Sequence, residues 1–115
     1  MIEITNNDIR ENMGTLVSIL TPCYNGEKFI FRYVHSLIEQ DYQNCQLIFM
    51  DDGSTDKTKE TIFSFKEKLE ANGIILEYYY HKNIGVGGTI AEGIKYVRGE
   101  YLIWPDVDDV LMPDS

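Results

Sequence analysis

Asp106, Asp108 and Asp109 stand within four consecutive positions (DVDD) at the end of an apolar run. Like charges packed that closely repel unless a cation neutralises them. Oxygen ligands of this kind suit magnesium or manganese, which keep coordination positions open for water and substrate phosphates. A solvated acidic loop is the plainer reading of the same residues. Residues 51–56 (DDGSTD) set Asp51 and Asp52 ahead of a glycine and a helix start. A carboxylate there can accept hydrogen bonds from a nucleobase N–H or from ribose hydroxyls, and such bonds carry specificity; an aspartate turn feeding a capped helix explains the segment equally. In residues 21–27 (TPCYNGE), Pro22 fixes the exit of the chain, Asn25 and Gly26 tolerate turn conformations, and Glu27 opens the helix that follows. Tyr24 adds a flat apolar face with a polar tip, suited either to covering a base or to packing in a turn. Residues 81–88 (HKNIGVGG) place Asn83 and Gly85, then Gly87 and Gly88, just before a helix, where backbone N–H groups attract phosphate. The glycine pattern does not follow the dinucleotide fingerprint and also fits a flexible connection, and His81 reads as a surface or packing residue rather than a metal ligand.

The elements that must position these segments alternate between short apolar runs and longer amphipathic ones, the β-α-β-α pattern of a parallel sheet. Residues 16–21 (LVSILT) predict a first strand, stopped by Pro22, which cannot donate to a ladder. Residues 27–40 predict a helix with Phe29, Ile30, Tyr33, Val34, Leu37 and Ile38 on one face. Residues 46–50 (QLIFM) form a continuous apolar run, as expected where helices cover both faces of a sheet. Ser54 or Thr55 is expected to cap a helix reaching about Ala71 and stopping near Gly73, with Asp56 complementing its positive end. Residues 74–80 (IILEYYY) predict a third strand, residues 89–97 a shorter helix and residues 100–104 (EYLIW) a fourth strand. All four chemical segments then fall after strands, at the carboxyl edge where open α/β sheets bind ligands.

The 115 residues suit one domain, and 43% hydrophobic with 25% charged residues are the proportions of an ordinary globular protein. Residues 1–13 (MIEITNNDIRENM) form a polar lead with no apolar stretch to act as a signal peptide, ahead of a domain spanning residues 14–115. No apolar run approaches the roughly 18 residues of a membrane span, so a cytoplasmic protein is expected, peripheral at most to the inner membrane face. Cys23 and Cys45 lack the CxxC spacing of a zinc or redox site and read as free thiols. A net charge of -9 repels phosphate backbones and argues against nucleic acid as a partner. An anionic diphosphate would likewise need a recruited cation, for which a divalent metal is the natural choice. The sequence ends in LMPDS straight after the acidic loop, which leads us to expect a parent chain that continues.

Taken in order, VSILTPCYNGEKF, QLIFMDDGSTDKT, HKNIGVGG and GEYLIWPDVDD resemble the successive signature segments of family 2 glycosyltransferases, over about residues 16–113. The resemblance implies the GT-A fold, a Rossmann-like three-layer α/β sandwich with a mostly parallel sheet, here cut after the DxD loop. It implies a nucleoside-diphosphate sugar as ligand, with uridine as its base. Pro22, Tyr24 and Asp52 would hold that base, Asp106 would contact the ribose side, Asp108 would ligate the metal bridging the phosphates, and Asp109 would complete the motif. The implied reaction is an inverting displacement at the anomeric carbon, transferring a hexosyl group to a glycan or lipid-linked acceptor. Its catalytic base would be a carboxylate beyond Ser115, so no catalytic residue is assigned here. Two departures stand out: Ile90 and Ala91 replace an Arg-Asn pair frequent in relatives, and Trp104-Pro105 precedes the acidic loop. A sugar nucleotidyltransferase would call for a Gly-rich, Arg-containing first loop, which TPCYNGEKF lacks; a receiver domain would place its acidic pair after the first strand rather than the second. A nucleotide-binding module that has lost transfer activity keeps every feature above.

Overall fold

A computed structural model of the chain describes residues 16–40 and 44–103. Four strands, β1 (Val17–Cys23), β2 (Cys45–Asp52), β3 (Ile74–His81) and β4 (Tyr101–Ile103), alternate with the helices α1 (Ile30–Glu39), α2 (Thr58–Phe63), α3 (Lys66–Ala71) and α4 (Gly85–Ile94). Every strand pair is parallel and the order is β3-β2-β1-β4. The chain therefore winds outward from β1 to β3 and crosses back to place β4 on the other side of β1, which makes the gap between β1 and β4 the topological switch point.

β1 and β2 are buried along their whole length, which their unbroken apolar runs require once helices lie on both faces. One core joins Ile19, Leu47 and Phe49 to Ile30, Val34 and Leu37 of α1, Ile62 of α2 and Leu69 of α3. On the opposite face Leu20, Ile48 and Met50 meet Ile90 of α4 together with Tyr96 and Val97. The three layers of the expected sandwich are thus present. Gly93 lets α4 lie close to the sheet, since a Cβ there would come within 2.3 Å of Leu20 Cδ1. β3 forms an edge of the described sheet and alternates accordingly, with Ile74 and Leu76 buried and Ile75 exposed.

Several boundaries differ from the sequence expectation. Pro22 does not stop β1, which continues to Cys23 in register with Asp51; described β4 pairs only with Val17, Ser18 and Ile19, so the missing N–H of Pro22 costs no described partner on that side. The first helix begins at Ile30 rather than residue 27, because Phe29 and Ile30 first turn back onto the Gly26 carbonyl. Neither Ser54 nor Thr55 caps the second helix: the residue before its first turn is Lys57, and Asp56 supplies the acceptor by taking the Thr58 N–H at 3.0 Å. That helix is also broken in two. The Ser64 hydroxyl bonds back to Thr61 O at 2.6 Å and Phe65 N tightens onto Ile62 O, so the ladder restarts at Phe65. The last helix begins at Gly85, four residues earlier than residue 89.

A polar node pins the crossing connection. Gln46 accepts from Ser18 Oγ (2.6 Å) and Arg98 N (3.0 Å) and donates to Tyr96 O (2.7 Å) and Glu77 Oε1 (3.1 Å). Arg98 pairs with Glu77, and the Tyr79 and Tyr96 rings stack at 3.8 Å. Burial alone would raise the Glu77 carboxyl, but hydrogen bonds from Tyr79, Gln46 and Arg98 bring it below its ordinary value.

Candidate functional site

Successive side chains of a strand point to opposite faces, and this divides the DD pair. Asp51 follows Leu47 and Phe49 onto the face covered by α1 to α3, and Asp52 follows Ile48 and Met50 onto the face covered by α4. Both carboxylates are buried. Asp51 accepts from Ser54 N at 2.9 Å and from the Tyr78 hydroxyl. Burial, then the hydrogen bond to Asp51, raises the Tyr78 phenol, so Tyr78 stays a donor at neutral pH. Burial and the charge of Asp51 likewise raise the neighbouring Cys23 thiol.

Asp51 and Tyr78 belong to a cleft of about 340 Å³ at the carboxyl ends of β2 and β3, whose other walls are Ser54, Asp56, Lys59, Glu60 and Tyr80. Tyr78 and Tyr80 lie two residues apart on one face of the edge strand, and Lys59 Nζ stands 5.9 Å from the Tyr78 ring centroid. Tyr80 is 59% exposed and offers an open aromatic face. Tyr78, Tyr80, Lys59 and Glu60 were not singled out from sequence; the available signal was tyrosines at alternate positions of a strand that directly precedes a glycine-rich loop.

Asn25 and Glu27 clasp the first two loops to each other. Asn25 sits at φ 49°, a conformation asparagine tolerates, and its Oδ1 accepts from Thr55 N at 2.8 Å while its N–H donates to Ser54 Oγ at 2.8 Å. Gly26 N donates to Thr58 Oγ1, Glu27 N to Asp56 Oδ2, and Lys57 N returns a bond to Glu27 Oε1. One side-chain oxygen each of Asn25 and Glu27 is thus spent on the scaffold that joins the two loops. Pro22 is buried within β1, and Tyr24 is half-buried at its end and is not among the residues lining the cleft.

Asp52 joins the second loop to the third. Its Oδ1 accepts from Ile84 N at 2.7 Å and lies 3.0 Å from His81 Nε2, and its Oδ2 accepts from Gly85 N at 3.0 Å. Asn83 Nδ2 donates to the Asp52 carbonyl at 3.1 Å. The amino end of α4, expected to attract a phosphate, therefore already holds a carboxylate of its own chain. His81 is half-buried in this cluster, its Nε2 also lying 3.1 Å from Thr89 Oγ1.

Asp106, Asp108 and Asp109, and with them Trp104 and Pro105, lie outside the described residues. Among the described residues no three His, Cys, Asp or Glu side chains gather to hold a metal. Cys23 and Cys45 are buried and neither is in a disulfide. No described helix is long and apolar enough to cross a membrane.

A parallel α/β sandwich whose strand-end loops lock together around a cleft is the architecture of nucleotide-binding folds. The chain belongs to glycosyl transferase family 2, whose model matches residues 18–115. It is 36% identical over 100 residues to a glycosyltransferase of Rickettsia typhi, covering 87% of this chain and 29% of that protein. It is 36% identical over 97 residues to the processive diacylglycerol beta-glycosyltransferase of Mycoplasma pneumoniae, covering 84% and 28%. Among solved structures it superposes on S. aureus TarS with a TM-score of 0.66 at 27% identity, over 80% of this chain and 16% of that one. It also superposes on the mannosyltransferase PcManGT of Pyrobaculum calidifontis, in complex with GDP-Man and Mn2+, with a TM-score of 0.65 at 22% identity, over 80% and 29%. These neighbours are GT-A glycosyltransferases, and the chain has their fold. It spans less than a third of the length of these relatives.

Proposed function

We propose that residues 14–115 are the donor-binding half of a glycosyltransferase and bind a nucleoside-diphosphate sugar along the carboxyl edge of the sheet. The observation that supports this best is the cleft at the ends of β2 and β3, which combines exposed aromatic surface on Tyr80 with the buried acceptor Asp51. An aromatic face and a fixed acceptor are what a nucleobase needs for stacking and for N–H recognition. The loops of β1 and β2, clasped through Asn25 and Glu27, hold that acceptor in place before ligand arrives.

In this reading the base is uridine, and Asp108, with Asp106 and Asp109, holds manganese or magnesium. The metal would neutralise charge on the departing diphosphate. The acceptor hydroxyl belongs to a glycan or lipid-linked molecule, and the catalytic base, with inversion at the anomeric carbon, comes from the acceptor half of a longer parent. The likeness to a diacylglycerol glycosyltransferase supports a lipid-linked acceptor. Calorimetric titration of the chain with UDP in manganese tests the proposal. Binding is expected to weaken greatly in chelator or in Asp108→Ala, and at least several-fold in Tyr80→Ala; affinity unaffected by all three removes the support.

A further inference from the structure

We infer that Gln46 is a positioning residue for the donor site: its side-chain amide fixes the register of β4, and with it the point at which the acidic segment leaves the sheet. The inference rests on the proposed role of that segment as the holder of a cation. Gln46 lies near the amino end of β2, away from the cleft at the strand's carboxyl end, and is fully buried.

β4 specifies its own place weakly. It has three residues and pairs, among the described residues, only with Val17, Ser18 and Ile19 of β1. Its three side chains are all half-buried, with no alternation of buried and exposed positions to select a register. A slip of one residue would displace all that follows by about 3.3 Å. Asp106 stands three residues after Ile103, and magnesium requires its oxygen ligands at about 2.1 Å, so a displacement of that size takes a carboxylate out of a cation's reach.

The connection that feeds β4 is held instead from the two inner strands. Three successive N–H groups each have an acceptor: Arg98 N donates to Gln46 Oε1 (3.0 Å), Gly99 N to Ser18 Oγ (2.8 Å) and Glu100 N to Leu16 O (2.9 Å). Ser18 and Gln46 are register partners, and Ser18 Oγ donates to Gln46 Oε1 at 2.6 Å. Arg98 N can only donate and Tyr96 O can only accept, which orients the amide: Oε1 takes Ser18 and Arg98, and Nε2 gives to Tyr96 O and Glu77. Every hydrogen-bonding position of the amide is used, two of them on the connection. Gly99 marks the same close seat independently, for a Cβ there would lie 2.6 Å from Leu16 O and 2.8 Å from Ser18 N. A slipped β4 breaks these matched contacts, whereas ladder bonds between backbones re-form after a slip.

The test uses Gln46→Met, which keeps the length of the side chain without a strong donor or acceptor. In the ligand-free chain, amide exchange at Arg98 and Gly99 is expected to quicken about tenfold or more while Val34 of α1 and Phe49 of β2 keep their protection. Unchanged exchange at Arg98 and Gly99 overturns the inference, as does an equal loss at all four amides, which would make Gln46 a general support of the core. Calorimetric titration with UDP then separates positioning from support. The gain in affinity that manganese gives the unmodified chain is expected to shrink about fivefold or more in Gln46→Met, while the affinity in chelator stays unchanged. An undiminished manganese gain overturns the inference, and so does an equal loss with and without metal. Should manganese give the unmodified chain no gain, the donor-binding reading fails while exchange still decides whether Gln46 seats β4. If Gln46→Met does not fold, Ser18→Ala removes the acceptor of Gly99 N, leaves Gln46 in place and is expected to quicken exchange at Gly99 a few-fold; no change there likewise overturns the inference.

Discussion

Gly53→Ala isolates the contact that lets the second and third loops meet. Gly53 has φ +79°, and a Cβ built on it would lie 2.7 Å from Asn83 N and 3.2 Å from Asn83 Cα. The left-handed conformation costs an alanine about 1–2 kcal/mol. Because the clash is with backbone rather than with the tip of a flexible side chain, strand end and loop must separate, adding about 1–3 kcal/mol. Gly85→Ala supplies the control, for Gly85 has φ +87° but nothing within 4 Å of the added Cβ, so only the conformational cost of about 1–2 kcal/mol applies. Urea unfolding followed by circular dichroism measures both. With a denaturant slope of about 2 kcal/mol per molar, the midpoint is expected to fall about 1–2.5 M for Gly53→Ala and under about 1 M for Gly85→Ala. Equal losses for the two variants would refute the reasoning, because they would show that no close approach of Asn83 distinguishes the sites.

Two further outcomes follow from the titrating groups. Glu77 has its folded carboxyl below its ordinary value of 4.5, so its contribution is present above that pH and is lost as pH falls through the depressed folded value. Glu77→Gln is expected to flatten the acid limb of a stability-against-pH curve measured by urea midpoints, and an unchanged limb would contradict the Gln46–Glu77–Arg98 node. Burial pushes the Cys45 thiol up from 9.0 to about 12, and Cys23 higher still by burial and Asp51, so both are neutral and enclosed at pH 8. Iodoacetamide is expected to label neither cysteine in the native chain at that pH and both in urea, as read by intact mass; rapid native labelling would place a thiol at the surface.

The strands were legible because burial on both faces leaves an unmistakable mark: VSIL and QLIFM carry almost no polar interruption. What escaped was governed by residues distant in sequence. α4 begins at Gly85 because a carboxylate 33 positions earlier supplies its cap, and local propensity, with glycine disfavoured in helices, argues for a later start. The expected caps Ser54 and Thr55 fail for the same reason, since Asn25, 29 and 30 positions away, engages both. Hydroxyl competition at Ser64, by contrast, was a local signal, and the helix breaks beside it.

The candidate site shows the same division at the level of single residues. Residue types marked the DD pair as chemically important without separating its members, and only the family resemblance singled out Asp52, because alternation on a strand becomes informative only once each face has an occupant. With α4 on one face and the Tyr78 cleft on the other, adjacent carboxylates acquire unlike surroundings: Asp52 meets backbone donors and an imidazole, Asp51 a phenol at a cleft wall. The positive end of α4 thus faces an internal anion in a chain whose net charge is -9. In the proposed function, neutralisation of a donor diphosphate falls to a cation held by the acidic segment at Asp106, Asp108 and Asp109, since an acidic chain has to recruit positive charge for an anionic ligand.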